Sequence, residues 1–335
     1  MRGNKAGWTV VMTAALMVVG ASSYGENAFR ARNRPSSGEI RARLREKIAE
    51  KKNRGESRQG DKGSIEVGGR TRTYLLHLPR GYNRHKTWPM VIVLHGGGAS
   101  AENGERMTGM SEKADKEGFI AVYPDGTGQG SRRLTWNVGD CCGYAVEQGV
   151  DDVGFIRALI GKLKAERHVD PDRIYATGMS NGGMLTYRLA CELSDEFAAV
   201  GVVSGSLNGE CRPSRAVPIV IFHGTADQHV PYAGGYGSES PVQRLDKPVA
   251  SAVSFWVANN RCRSTPKWTA SGSIVQTDFT GCRNGADVSL YSIKGEGHTW
   301  PGGEEGRRHG NVDPPTKEIS ATEVLWDFFQ SHPMR

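Results

Sequence analysis

Six consecutive residues, Pro89-Met90-Val91-Ile92-Val93-Leu94, carry no polar side chain. A strand points successive side chains to opposite faces, so a run that is apolar throughout needs cover on both. That requirement predicts a mainly parallel sheet with helices on both faces, and the rest of the chain agrees. Strands are predicted at Thr71–Leu78, Phe119–Tyr123, Arg173–Thr177, Ala198–Val203, Pro218–Phe222 and Val288–Ile293. Between and after them, helical patterns run over Ala101–Lys116, Val153–Arg167, Gly182–Leu193, Val249–Ala258 and Glu318–Gln330. In the second of these, Phe155, Ile156, Leu159, Ile160 and Leu163 fall on one side, while Asp151 and Asp152 stand where caps belong. This alternation defines an α/β class. No repeat and no second boundary interrupts it after Ser64, so residues 64–335 read as one domain.

The start of the chain has a different texture. Arg2 and Lys5 precede an apolar stretch from Ala6 to Gly20, and small residues follow at Ala21, Ser22 and Ser23. The stretch is shorter than the roughly 20 residues a spanning helix needs. It reads as a secretory leader, residues 1–25, cleaved after Ser23 or Gly25. Residues 26–63 hold 12 basic and 6 acidic side chains, with Ile40, Leu44 and Ile48 at helical spacing. They read as a basic linker, flexible or partly helical, with docking to an anionic polysaccharide or cell surface as a second reading.

The basic excess behind the formal net charge of +7 therefore lies within the first 63 residues. The remainder carries 29 basic and 30 acidic side chains, which gives no support to nucleic-acid binding. No later segment is long and apolar enough for membrane insertion. Six cysteines behind a leader indicate disulfides in an oxidising compartment. Cys262 with Cys282, which flank a short strand-rich stretch, is the first pairing expected and Cys191 with Cys211 the second, leaving the adjacent Cys141 and Cys142. Their spacing is not that of a zinc site, and no metal is expected.

Gly178-Met179-Ser180-Asn181-Gly182 joins a predicted strand to a predicted helix. G-x-S-x-G in that setting forces a sharp reversal at the serine, and a Cβ on either flanking glycine would collide with the neighbouring strand or helix. The turn lifts the hydroxyl above the sheet edge and aims the helix N-terminus at any oxyanion formed there. A serine needs an adjacent base, and partners in this architecture follow in the order acid, then histidine. His298 lies in the glycine-rich segment Gly295–Gly303, just past the strand ending at Ile293. His309, among arginines, reads as a surface residue. Asp227 is one short turn past the strand Pro218–Phe222 and suits the role of orienting acid. His223, directly after that strand, reads as a buried structural residue.

Oxyanion stabilisation needs two backbone donors. The N–H of Asn181 is one; the other is expected from His95-Gly96-Gly97-Gly98, with Gly97 chosen and Gly98 as fallback. Trp136 and Trp300 are candidates for lining a substrate pocket, with core packing the alternative.

The stretches LHGGG (94–98), VDDVGFI (150–156), VDPDRIYATGMSNGGM (169–184), RLACE (188–192), HGTADQHVPYAGG (223–235) and GHTWPGG (297–303) together resemble the polyhydroxybutyrate-depolymerase and feruloyl-esterase family. The resemblance implies an α/β-hydrolase fold, no cofactor, cleavage of carboxylic esters, and a triad on Ser180, Asp227 and His298. The expected substrates are feruloyl or acetyl esters of polysaccharide, 3-hydroxyalkanoate oligomers, or short-chain esters. Peptidase activity is a further enzymatic reading. A non-catalytic carbohydrate- or ester-binding protein on the same fold is the alternative from another class, and a metal hydrolase using His298 and His309 a third.

Overall fold

The computed structural model describes residues 60–130, 133–304 and 313–334. The leader and all of the basic linker up to Gln59 lie outside the described residues, as does His309. The strands in chain order are β1 (Asp61–Val67), β2 (Arg70–His77), β3 (Trp88–Leu94), β4 (Ile120–Pro124), β5 (Val169–Met179), β6 (Ala199–Val203) and β7 (Ile219–Gly224). They continue with β8 (Gly235–Tyr236), β9 (Leu245–Asp246), β10 (Lys267–Ser271), β11 (Ile274–Phe279) and β12 (Val288–Ile293). The helices are α1 (Ala101–Thr108), α2 (Met110–Glu117), α3 (Gly143–Glu147), α4 (Asp152–Arg167), α5 (Asn181–Glu192), α6 (Val249–Asn259) and α7 (Ala321–Ser331).

Ten strands form one sheet in the order β1-β2-β4-β3-β5-β6-β7-β12-β11-β10, and β8 with β9 makes a separate ribbon. Every neighbour pair from β4 through β12 is parallel. Antiparallel strands close both ends, β1 and β2 on one side and β11 and β10 on the other. The apolar run in β3 is buried at all positions, as its sequence requires. One face packs Phe155, Leu159, Leu185 and Trp256 from α4, α5 and α6. The other packs Ala114, Leu325, Trp326 and Phe329 from α2 and α7. Each fully buried leucine or phenylalanine among them stabilises the fold by roughly 1.5–3 kcal/mol.

Three local departures from the sequence reading have clear causes. The helix expected over 101–116 is two helices, because Gly109 sits at φ 61° and its N–H returns to Glu105 O, ending α1 and starting α2. Asp151 caps α4 through Gly154 N, but Asp152 does not cap. Its buried carboxylate instead pairs with Arg72 at 2.7 Å and accepts from Asn137 N at 2.7 Å, tying β2 to the other end of the chain's first half. The edge strand β10 falls in the strand-rich stretch between Cys262 and Cys282, but the sequence does not set its bounds, because all five residues are exposed and carry no apolar period. Cysteines pair as 191 with 211, 262 with 282, and 141 with 142.

Candidate active site

Parallel strands share one C-terminal rim, and Leu94, Met179, Val203, Gly224 and Ile293 all end on it. Ser180 follows β5 directly with φ 56° and ψ −124°, a conformation that costs an L-residue about 1–3 kcal/mol and persists only when its surroundings enforce it. The enforcement is visible. A Cβ on Gly182 would collide with the carbonyl oxygens of Leu94 and His95, and one on Gly178 with Gly182 O, so β3, β5 and α5 meet here in backbone contact. Ser180 N donates to Val203 O at 2.9 Å, fixing the turn to β6.

Asp227 lies three residues past β7 and is buried. Its Oδ1 accepts from the N–H groups of His229 and Val230, both at 2.9 Å, and its Oδ2 accepts from His298 Nδ1 at 2.8 Å. Burial alone would raise this carboxyl, but the contacts from His223 and His298 outweigh it and hold Asp227 well below the usual carboxylate range. His223 Nε2 donates to Val230 O at 2.8 Å and stands 3.4 Å from Asp227 Oδ2, the structural place its sequence context indicated. The loop after β12 is held against β7, since a Cβ on Gly224 would strike Glu296 O and Gly297 O. His298 N donates to Asp313 Oδ2 at 3.1 Å. Ser180 is partly exposed, and among the described residues its hydroxyl forms no hydrogen bond to His298; in ligand-free enzymes such contacts are often long and tighten with substrate.

The loop after β3 runs beside Ser180: a Cβ on Gly96 would lie 3.6 Å from Ser180 Cβ. The two candidate donors are the N–H groups of Gly97 and Asn181. They meet no backbone acceptor among the described residues, whereas Gly98 N–H donates to Leu134 O at 2.8 Å, which removes Gly98 as an alternative donor. A Cβ on Gly97 would lie 3.5 Å from Asn181 Cβ, so the two loops touch. The sequence reading missed what aims Gly97. His95 is buried; its Nε2 accepts from Gly126 N–H at 2.9 Å, so Nδ1 carries the proton and donates to Gly96 O at 2.8 Å. A trans peptide sets C=O and the next N–H in opposite directions. Holding Gly96 O therefore turns the Gly97 N–H to the far side of the loop. Burial lowers the His95 pKa to about 4, keeping this tautomer neutral.

Trp136 and Trp300 do not line a pocket: both rings are buried, at 0% and 2% exposure. Trp136 is instead a brace. Its backbone N–H and C=O bond both ends of the Asn181 amide at 2.7 and 3.0 Å, and its Nε1 donates to His95 O at 2.9 Å. Trp300 Nε1 donates to Thr322 Oγ1 at the head of α7. A second unforeseen residue is His229, whose ring stacks on that of His298 with centroids 4.8 Å apart. The only signal for either histidine was membership of the strings LHGGG and HGTADQH.

Asp227, His229 and His298 bring metal-ligating atoms within 4.8 Å of one another. The donors do not fit a cation: His298 Nδ1 and Asp227 Oδ2 bond each other, and Asp227 Oδ1 is held by two N–H groups. The arrangement suits a proton relay. No helix among the described residues is long and apolar enough to cross a membrane.

The parallel sheet, the strained serine at the head of α5 and the acid and histidine on the same rim define an α/β-hydrolase. Solved structures agree on the fold: the acetyl xylan esterase from Aspergillus awamori superposes with a TM-score of 0.53 at 15% identity, over 72% of this chain and 94% of that one. A thermostable esterase gives 0.51 at 17% identity, over 82% and 63%. The family model for esterase PHB depolymerase matches residues 72–233. The putative esterase NocK of Nocardia uniformis subsp. tsuyamanensis is 32% identical over 79% of this chain and 80% of its own length. Feruloyl esterase B of Piromyces equi is 33% identical over 70% of this chain, which spans 44% of that protein. This chain belongs to the esterase PHB depolymerase family.

Proposed function

We propose that this protein is a secreted serine esterase that cleaves carboxylic esters through an acyl-enzyme. The observation that carries the reading is the 2.8 Å bond from His298 Nδ1 to the buried Asp227 carboxylate, on the rim that also presents the strained Ser180. Asp227 fixes the tautomer that leaves His298 Nε2 free to accept the serine proton. Ser180 Oγ then attacks the ester carbonyl, and the N–H groups of Gly97 and Asn181 stabilise the negative oxygen. His298 returns the proton to the departing alcohol, and water activated by the same imidazole releases the acid.

Feruloyl or acetyl esters of polysaccharide come first as substrates and 3-hydroxyalkanoate oligomers second, supported by the names of the relatives and of the family. The catalytic domain, read from Ser64 in the sequence, takes in β1 from Asp61, and is preceded by a leader over 1–25 and a basic linker that ends where β1 begins. Three cystine bridges among the described residues support an oxidising, extracytoplasmic location. The test is a substrate panel of methyl ferulate, acetylated xylan, hydroxybutyrate oligomers and p-nitrophenyl esters, run with and without EDTA. EDTA-insensitive hydrolysis that disappears in Ser180→Ala is expected. Hydrolysis of none of them, or activity undiminished in Ser180→Ala, overturns the reading.

A further inference from the structure

His229 touches both Asp227 and His298. Its N–H bonds Asp227 Oδ1 at 2.9 Å and its ring stacks on His298, so the position of this one residue bears on acid and base together. Its own carbonyl oxygen accepts from Arg244 Nη2 at 3.3 Å. The same guanidinium donates from Nε to Asp246 Oδ1 at 2.8 Å and from Nη1 to Ser240 Oγ at 3.4 Å, and Nη1 lies 4.0 Å from Cys141 Sγ. Arg244 and Asp246 stand two residues apart at β9 and so face the same way, their side chains 10% and 0% exposed. Asp246 Oδ1 also accepts from Ser206 Oγ at 2.6 Å and Asn208 Nδ2 at 2.9 Å, both on the loop after β6. That loop is backed against the nucleophile's helix, since a Cβ on Gly205 would lie 2.9 Å from Gly183 C and 3.0 Å from Met184 N. One ion pair therefore joins a loop in backbone contact with α5 to the loop that carries the acid.

We infer that Arg244 is a positioning residue for the triad: anchored on Asp246, it holds the His229 carbonyl, and through His229 it sets the Asp227 carboxylate and the His298 ring relative to Ser180. The inference rests on the assignment of Ser180, Asp227 and His298 as the triad. A buried ion pair is a poor device for stability alone, because desolvation offsets most of its attraction. This one also leaves Asp246 Oδ2 buried with no hydrogen-bond partner among the described residues, a further cost. What the pair supplies is geometry. A guanidinium is a rigid planar fork that can bond a carboxylate with one arm and a carbonyl with another, whereas a lysine ammonium is a point charge on a flexible stem. The segment has other ties that do not pass through Arg244: Glu239 N donates to Gln228 O at 3.1 Å, and Gly237 packs so closely on His229 O that a Cβ there would strike it. Those ties keep the segment folded when the fork is removed, which separates positioning from folding.

The test uses Arg244→Lys, which keeps a positive charge beside Asp246 and gives up the fork. Kinetics on one p-nitrophenyl ester are read per active site, with sites counted by fluorophosphonate titration. Arg244→Lys is expected to lower kcat about tenfold with KM held within about twofold and Tm close to that of the wild type. A lower Tm or fewer titratable sites with kcat per site unchanged would make Arg244 a staple for the ribbon only, and overturns the inference. In an Asp227→Ala background no acid remains to be positioned, so adding Arg244→Lys is expected to change kcat by less than about twofold. A further tenfold loss there overturns the route through Asp227. Should Arg244→Lys fail to fold, the double variant Arg244→Met, Asp246→Leu removes both charges and is read per site in the same way: a similar fall in kcat supports the inference and an unchanged kcat overturns it. The triad is read separately by Asp227→Ala alone. Undiminished kcat in that variant sinks the triad and this inference with it, whereas a large loss there beside wild-type kcat in Arg244→Lys sinks the inference only.

Discussion

The imidazoles of His229 and His298 lie stacked, centroids 4.8 Å apart and planes 19° from parallel. The His229 pKa is lowered, first by its own burial and then by the neighbouring His298. In the proposed mechanism the stack is a wall that holds the His298 ring against Asp227. Aromatic pairs of this kind contribute about 0.5–1.5 kcal/mol. His229→Ala is therefore expected to lower kcat roughly threefold to tenfold, and His229→Phe to recover most of it. Steady-state kinetics on one p-nitrophenyl ester checks both; equal losses in the two variants would deny the ring a positioning role.

Asp227 accepts from His298 and from two backbone N–H groups, so its removal should damage orientation more than packing. Asp227→Asn is expected to reduce kcat by about three to four orders of magnitude, since an amide facing Nδ1 favours the wrong tautomer. Its urea midpoint should fall as well. The carboxyl is held below its ordinary range when folded, so the stability it contributes is full above the unfolded pKa and is lost only as pH falls through the carboxylate range. Denaturation curves from neutral to acid pH for both proteins measure this: the gap between them should narrow on acidification.

How much of this was legible beforehand follows from what sequence encodes locally. The buried strand β3 and the elbow at Ser180 were readable because each rests on a run or spacing within a dozen residues. The meeting of Asp227 and His298 was readable from their places after β7 and β12. Of the antiparallel end strands, β2 was readable from its alternation, but β1 and the bounds of β10 were not, since β10 has no buried residue to set a period; the ribbon strands β8 and β9 have only two residues each. The roles of Asp152, Trp136, His95 and His229 were hidden for another reason. Each depends on a partner brought in by folding, namely Arg72, the Asn181 amide, the Gly126 N–H and the His298 ring. An indole in a glycine-rich neighbourhood is compatible with a pocket wall or a core brace, and only burial distinguishes them.

His95 gives a pH signature. Its folded pKa is lowered to about 4, against about 6.5 in the unfolded chain, so below neutrality the unfolded state binds a proton that the folded state refuses. Stability should fall as pH drops from about 6.5 to about 4, by up to about 3 kcal/mol from this group. His95→Gln offers an amide donor and acceptor without a titrating ring, and should show a shallower loss over that window. Chemical denaturation of both proteins at several pH values decides it; parallel curves would remove His95 as the cause.

The buried pair of Arg72 and Asp152 is expected to be sensitive to loss of one partner. Arg72→Ala leaves a carboxylate in the core with only Asn137 N–H for company, and should destabilise the fold by about 3–5 kcal/mol. Calorimetry should show a clearly lower Tm, with the double variant Arg72→Met, Asp152→Leu losing less than the single one.

The proposed mechanism requires Ser180 Oγ to be the attacking atom, and a fluorophosphonate that phosphorylates activated serines addresses this most directly. Intact mass should show one adduct per wild-type chain, peptide mapping should place it on Ser180, and His298→Ala should label far more slowly. Absence of labelling in folded wild-type protein, or an adduct that persists in Ser180→Ala, would contradict the mechanism.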